Sequence, residues 1–117
     1  MEAPPMSPKQ PLFLTVLNSE IEKNLSDNNL SIQKMTRLVG MSRTDLHRKL
    51  HKAVGMSATK YIRFIRLQRA STLLLENQEW SVSYISLEVG FNNQSYFTTK
   101  FKELFGVCPC AFREQRL

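Results

Sequence analysis

Two stretches of this chain, about fifty residues apart, carry the same pattern. Val39-Gly40-Met41-Ser42 continues through Leu46 and Leu50 to Val54-Gly55 and Tyr61, and Val89-Gly90-Phe91-Asn92 continues through Phe97 and Phe101 to Phe105-Gly106 and Phe112. The offset is fifty at Gly90 and fifty-one from Phe97 onward, so the second copy carries one extra residue near Gln94. Each copy reads as a helix, a tight turn and a second helix. At 117 residues the chain is about one domain, with enough apolar content for a real core. The repeat therefore predicts an all-α fold built on two helix-turn-helix units.

Local signals set the element boundaries. Ser31 and Ser81 are N-cap residues for short helices that end at Val39 and Val89, just before Gly40 and Gly90. A turn this tight needs left-handed backbone, which glycine adopts without steric cost. The second helices start near Ser42 and near Asn92 or Asn93, presenting Leu46 and Leu50 inward in one copy and Phe97, Phe101 and Leu104 in the other. The first unit spans about 31–54 and the second about 81–105. Between them, Ser57 to about Leu75 reads as one long helix with Ile62, Ile65, Ala70, Leu73 and Leu74 among its buried candidates. Nineteen residues at 1.5 Å each give about 28 Å, close to the roughly 34 Å between successive major-groove openings. Upstream, Leu12, Phe13, Val16, Leu17, Ile21 and Leu25 recur at helical spacing, and the three prolines of residues 1–10 mark a disordered tail or linker.

Charge is concentrated where the pattern places exposed helix faces. From Arg43 to Arg69 there are eight basic residues and one acid, Asp45, a net +7 within a chain of net +6, so the remainder is −1. A central imbalance of this kind is the footprint of a polyanion-binding surface. The outward face of the first second-helix carries Arg43, Thr44, His47, Arg48 and His51; its counterpart carries Gln94, Ser95, Thr98 and Thr99, with Lys100 and Lys102 nearby. These side chains suit base edges and phosphates. Lys60, Arg63, Arg66 and Arg69 follow at three-residue steps, suited either to phosphates, above all Lys60 and Arg63, or to ion pairs with Glu76, Glu79 or Glu88.

Other chemistry is poorly supplied. His47 and His51 form the one i, i+4 pair able to grip a metal, but Arg48 and Lys49 between them oppose a cation and no glutamate serves as a base, so neither catalysis, metal nor cofactor is expected. Cys108 and Cys110 sit too close for a structural disulfide and are too few for a zinc site, which predicts two reduced thiols. No apolar run approaches the roughly 20 residues of a membrane span, and the first residues lack signal-peptide regions. The expected setting is the cytoplasm, without membrane contact by this chain.

The sequence Gly90-Phe91-Asn92-Asn93-Gln94-Ser95-Tyr96-Phe97, then Phe101-Lys102, Phe105-Gly106-Val107, Pro109 and Phe112-Arg113, resembles the signature of the AraC/XylS family of bacterial transcription regulators. The likeness runs from about Leu12 to Arg116. It implies a DNA-binding domain over 11–117 with seven helices, two helix-turn-helix units and a linker helix, closed by a short helix from Pro109 to about Arg116. It implies base readers at Thr44, His47, Arg48, Gln94, Ser95 and Thr99; the charged and polar residues Arg43, Lys49, Lys60, Arg63, Asn93, Lys100 and Lys102 are the expected phosphate contacts. Thr36 and Ser86 stand where the family commonly has alanine, Thr99 where many members have arginine, and Cys108 and Cys110 replace small polar residues. The stretch Ile21 to Asp27, with Met41-Ser42-Arg43 and Arg48-Lys49-Leu50, is similar to output domains of two-component response regulators and hybrid sensor kinases. The resemblance implies sequence-specific binding of promoter or operator DNA by an activator, with RNA polymerase as a partner and a sensor, receiver or dimerisation region elsewhere. The rival reading is a basic architectural or protein-interaction module without sequence preference.

Overall fold

The computed structural model describes residues 12–27 and 30–115; the tail expected over residues 1–10 lies outside them. Seven helices follow in order: α1 (Leu12–Lys23), α2 (Ile32–Val39), α3 (Arg43–Val54), α4 (Ala58–Glu76), α5 (Val82–Glu88), α6 (Gln94–Phe105) and α7 (Pro109–Glu114), with no strand among the described residues. None of these helices is long and apolar enough to cross a membrane. The chain forms two compact units. The first combines the described residues through Lys23 with Ser31–Tyr61; the second combines the described residues of 24–30 with Ile62 onward.

Helix starts follow the capping chemistry read from the sequence. Ser31, Ser42 and Ser81 have extended backbone, and their hydroxyls accept from the N–H groups of Lys34, Asp45 and Tyr84 at 3.2, 3.1 and 3.0 Å. Ser57 does the same for Lys60 at 3.2 Å. Between the two candidates at the head of α6, Asn93 is the cap, its side-chain oxygen accepting from Tyr96 N–H at 2.9 Å. Each such bond satisfies one of the orphan donors of a helix start and contributes about 1 kcal/mol. Cys108 holds the cap position of α7 but makes no side-chain capping bond; Pro109, which lacks an N–H, opens the helix instead.

In the first unit α1 packs on α2 and α2 on α3, around Leu14, Leu17, Ile21, Met35, Leu46 and Leu50. The face expected of α1 is corrected here. Leu17, Ile21 and Leu25 are buried as expected, but Leu12 and Val16 are exposed and Leu14 takes the inward place. Both registers are apolar at helical spacing, and only the partner helix selects one. Tyr61 closes this unit: burial raises its phenol pKa, and its hydroxyl donates to Asn18 Oδ1 at 2.6 Å.

The second unit packs α5 and α7 against α6. Its core is aromatic. Phe101 lies 5.7 Å from Phe97, 4.5 Å from Phe105 and 5.3 Å from Phe112 between ring centroids, and Phe97 and Phe101 are wholly buried. Leu104, expected inward, is 41% exposed, because the four phenylalanines already fill the space below α6. Arg113 ties α7 to the end of α4, donating from Nε to Leu74 O at 3.0 Å and from Nη2 to Asn77 O at 3.2 Å. Leu74 O also accepts from Gln78 Nε2 and Asn77 O from Trp80 N–H, so Arg113 adds a second donor to each carbonyl at the end of α4.

Candidate nucleic-acid interface

In α3 the buried Leu46 and Leu50 fix the rotation of the helix, so Thr44, His47, Arg48 and His51, at i, i+3, i+4 and i+7, all lie exposed on another face. The His47 and His51 rings stack at 6.1 Å with 13° between planes. Arg48 is held by an ion pair with Asp45, one turn earlier in the same helix. Arg43, Lys49 and Lys60 are exposed, and Arg43, Thr44 and His47 border a half-open cleft of about 430 Å³ that reaches Ser57 at the head of α4. Arg43 thus shares one surface region with Thr44 and His47. Among the described residues no group of three or more His, Cys, Asp or Glu is placed to hold a metal.

In α6 the buried Phe97 and Phe101 play the part of Leu46 and Leu50, leaving Gln94, Ser95, Thr99 and Lys102 exposed. Thr98 is half-buried, and so is Lys100, which pairs with Glu103 at 3.3 Å while its ammonium stands 5.6 Å from the Tyr96 ring centre. Asn93 is exposed, but its carbonyl oxygen is engaged in the cap, which leaves its amide N–H groups for a ligand. Arg63, from α4, donates to the Tyr96 hydroxyl at 3.0 Å. Every base reader and phosphate contact expected from the sequence is therefore at least partly exposed.

Two features escaped sequence reading. The Asp45–Arg48 pair has an i, i+3 signal that the spacing does carry. Arg66 has none. It is buried, at 8% exposure, and donates from Nη1 to Gly90 O and from Nη2 to Asp27 O, both at 2.7 Å. Among the described residues neither Arg66 nor Arg69 pairs with Glu76, Glu79 or Glu88, the partners considered from the sequence. Burial pulls the Arg66 pKa down and the nearby Asp27 charge opposes that shift, so the guanidinium works as a charged clamp on two backbone carbonyls. Its Nε finds no partner among the described residues. The clamp secures the turn from which α6 departs, and so the placement of that helix's exposed polar face.

Comparison with known proteins agrees with this geometry. A family model described as a helix-turn-helix domain matches residues 35–115. The regulator MtrA of Neisseria gonorrhoeae is 33% identical over 89 residues, covering 76% of this chain and 29% of MtrA. The C-terminal domain of AraT, a response regulator from Geobacillus stearothermophilus, superposes with a TM-score of 0.82 at 28% identity, covering 93% of this chain and 89% of that domain. The DNA-binding domain of AdpA, solved in complex with a target DNA, shares the fold with a TM-score of 0.77 at 22% identity, covering 87% of this chain and 89% of that one. The chain spans about three-tenths of the length of the curated relatives it matches first. With a family model spanning most of its length and the same seven-helix architecture, the chain belongs to the AraC-type helix-turn-helix family of transcription-regulator DNA-binding domains.

Proposed function

We propose that this chain binds double-stranded promoter or operator DNA sequence-specifically, with α3 and α6 entering successive major grooves. The observation that carries this reading is the paired design: in each unit, two buried apolar residues one turn apart turn a polar, exposed face of the second helix toward solvent. Thr44, His47 and Arg48 of α3 and Gln94, Ser95 and Thr99 of α6 are assigned as base readers, because their groups match major-groove donors and acceptors. Arg43, Lys49, Lys60, Arg63, Asn93, Lys100 and Lys102 are assigned to phosphates. The +7 stretch from Arg43 to Arg69 supplies the electrostatic part of the affinity. We assign the chain binding rather than catalysis, within a larger regulator that acts as an activator with RNA polymerase as partner. Support for a larger whole comes from the fraction of its relatives that the chain spans and from its likeness to the C-terminal domain of the response regulator AraT.

Selection of bound sequences from random duplexes, followed by salt titration on the selected and a scrambled duplex, tests the reading. The selected duplex is expected to bind roughly 10³-fold or more tightly than the scrambled one at physiological salt. Equal affinity for both, with one common salt slope, would replace sequence reading with architectural, charge-driven binding.

A further inference from the structure

One polar cluster in the second unit joins a linker-helix cation to a residue so far given no role. Tyr96 sits in the first turn of α6 with 44% of its surface exposed. Its phenol oxygen accepts from Arg63 Nη1 at 3.0 Å, and the Lys100 ammonium stands over its ring. Among the described residues no acid pairs with Arg63, and the phenol's own O–H donates to no protein group. We propose that Tyr96 is a DNA-backbone contact, its hydroxyl donating to a phosphodiester oxygen beside the Arg63 guanidinium.

Helix geometry puts the hydroxyl at a suitable place. At 100° per residue, Tyr96 lies roughly 60° around α6 from Thr99, and Lys100 roughly 40° beyond it. The cluster therefore borders the Ser95–Thr99 reading face, as phosphates border a groove about 12 Å wide. A phenol that accepts from a guanidinium is polarised to donate more strongly. Its partner should then be an anion, and the two neighbouring cations select a phosphate over a neutral base edge. An apolar protein partner would leave Arg63 unmatched.

This assignment rests on the DNA-binding reading, and the test separates the two. Binding of wild type, Tyr96→Phe and Arg63→Gln to the selected duplex is measured from about 50 to 200 mM salt. It is then repeated on duplexes in which single phosphates are replaced in turn by neutral methylphosphonate. Tyr96→Phe keeps the exposed ring, and its melting temperature confirms folding. It should weaken every duplex about 3- to 10-fold, leaving base preference and salt slope unchanged, because a hydroxyl releases no counterion. Arg63→Gln should lower the slope by about one phosphate's worth. One methylphosphonate position should abolish the difference between wild type and Tyr96→Phe. Equal binding by Tyr96→Phe, or a difference that persists at every methylphosphonate, overturns the proposal and makes the hydroxyl a tether for Arg63 alone. Failure of the wild type to bind any duplex would overturn the DNA reading itself, an outcome visible before any variant is compared.

Discussion

Arg66 and Gly90 are locked together: the guanidinium donates to the Gly90 carbonyl at 2.7 Å, and a Cβ added to Gly90 would lie 2.6 Å from Arg66 Cζ and 2.2 Å from Leu25 O. Gly40, at the equivalent turn of the first unit, has φ +70° but open space around it. The two glycines look alike in sequence and differ in what they tolerate. Gly40→Ala should cost about 1 to 2 kcal/mol, the penalty for left-handed backbone. Gly90→Ala, with φ +100° and a backbone clash, should cost about 4 kcal/mol or more. Urea unfolding of both variants checks this, and equal losses would show that the crowding at Gly90 relaxes freely.

Replacing Arg66 itself removes the donor from both sides of the clamp. Arg66→Met keeps the stem but removes the donor to the Gly90 carbonyl and one of two donors to the Asp27 carbonyl, which keeps the Leu30 N–H, and should lower stability by about 3 kcal/mol, as for lost hydrogen bonds to a charged group. Arg66→Lys keeps the charge on a single ammonium, which lacks the planar fork, and should recover only part of that loss. Full recovery by lysine would mean that charge alone matters at this position.

Contrasting positions on α6 test its rotation. Phe101→Ala empties the centre of the Phe97, Phe105 and Phe112 cluster and should cost about 3 to 5 kcal/mol. Leu104→Ala, at a site with 41% exposure, should cost under about 1 kcal/mol. Similar losses from the two would contradict the helix face that leaves Ser95 and Thr99 free to read DNA.

These cases mark what was legible in the chain. Caps, turn glycines and the burial of Leu46, Leu50, Phe97 and Phe101 are local properties, set within a few residues, and the repeat states them twice. The inward face of α1 was not legible, since Val16 and Leu14 are equally apolar and only packing on α2 decides between them. Leu104 failed for the same reason. For the candidate site, exposure of the reading faces follows from helix periodicity. The partners of Arg66 and Arg63 lie 24 to 39 residues away and include main-chain carbonyls, which leave no mark in a sequence.

Tyr61 gives the first unit an alkaline limit. The pKa of its phenol, ordinarily 10.0, is raised by burial. A raised folded-state value means that the native form holds the proton more tightly than the unfolded form. The contribution is fully present below pH 10.0 and is lost as pH climbs through the higher folded value. Tyr61→Phe should therefore be less stable near neutrality by about 1 kcal/mol, the worth of one hydrogen bond, yet decline less steeply above pH 10. Parallel stability curves for the two proteins would rule out this role.

The Asp45–Arg48 pair makes the sharpest test of reading in the first unit. Asp45 is the one acid between Arg43 and Arg69 and sits in the first turn of α3, where a negative charge favours the helix by about 0.3 to 1 kcal/mol. Its second effect is to hold the Arg48 guanidinium, the fork that can bond guanine O6 and N7 together. Asp45→Asn should cost a little stability and raise affinity for every duplex, since a charge that repels phosphate leaves the basic stretch from Arg43 to Arg69. It should also blur preference at one base position, because Arg48 is no longer aimed. Arg48→Lys keeps the charge and loses the fork; it should weaken binding by about 1 to 3 kcal/mol and relax preference at that same position. Affinities of both variants against duplexes varying each base of the selected site decide the matter. If Arg48→Lys leaves every preference unchanged, Arg48 touches phosphate alone; if the variants relax different positions, Asp45 does not aim it.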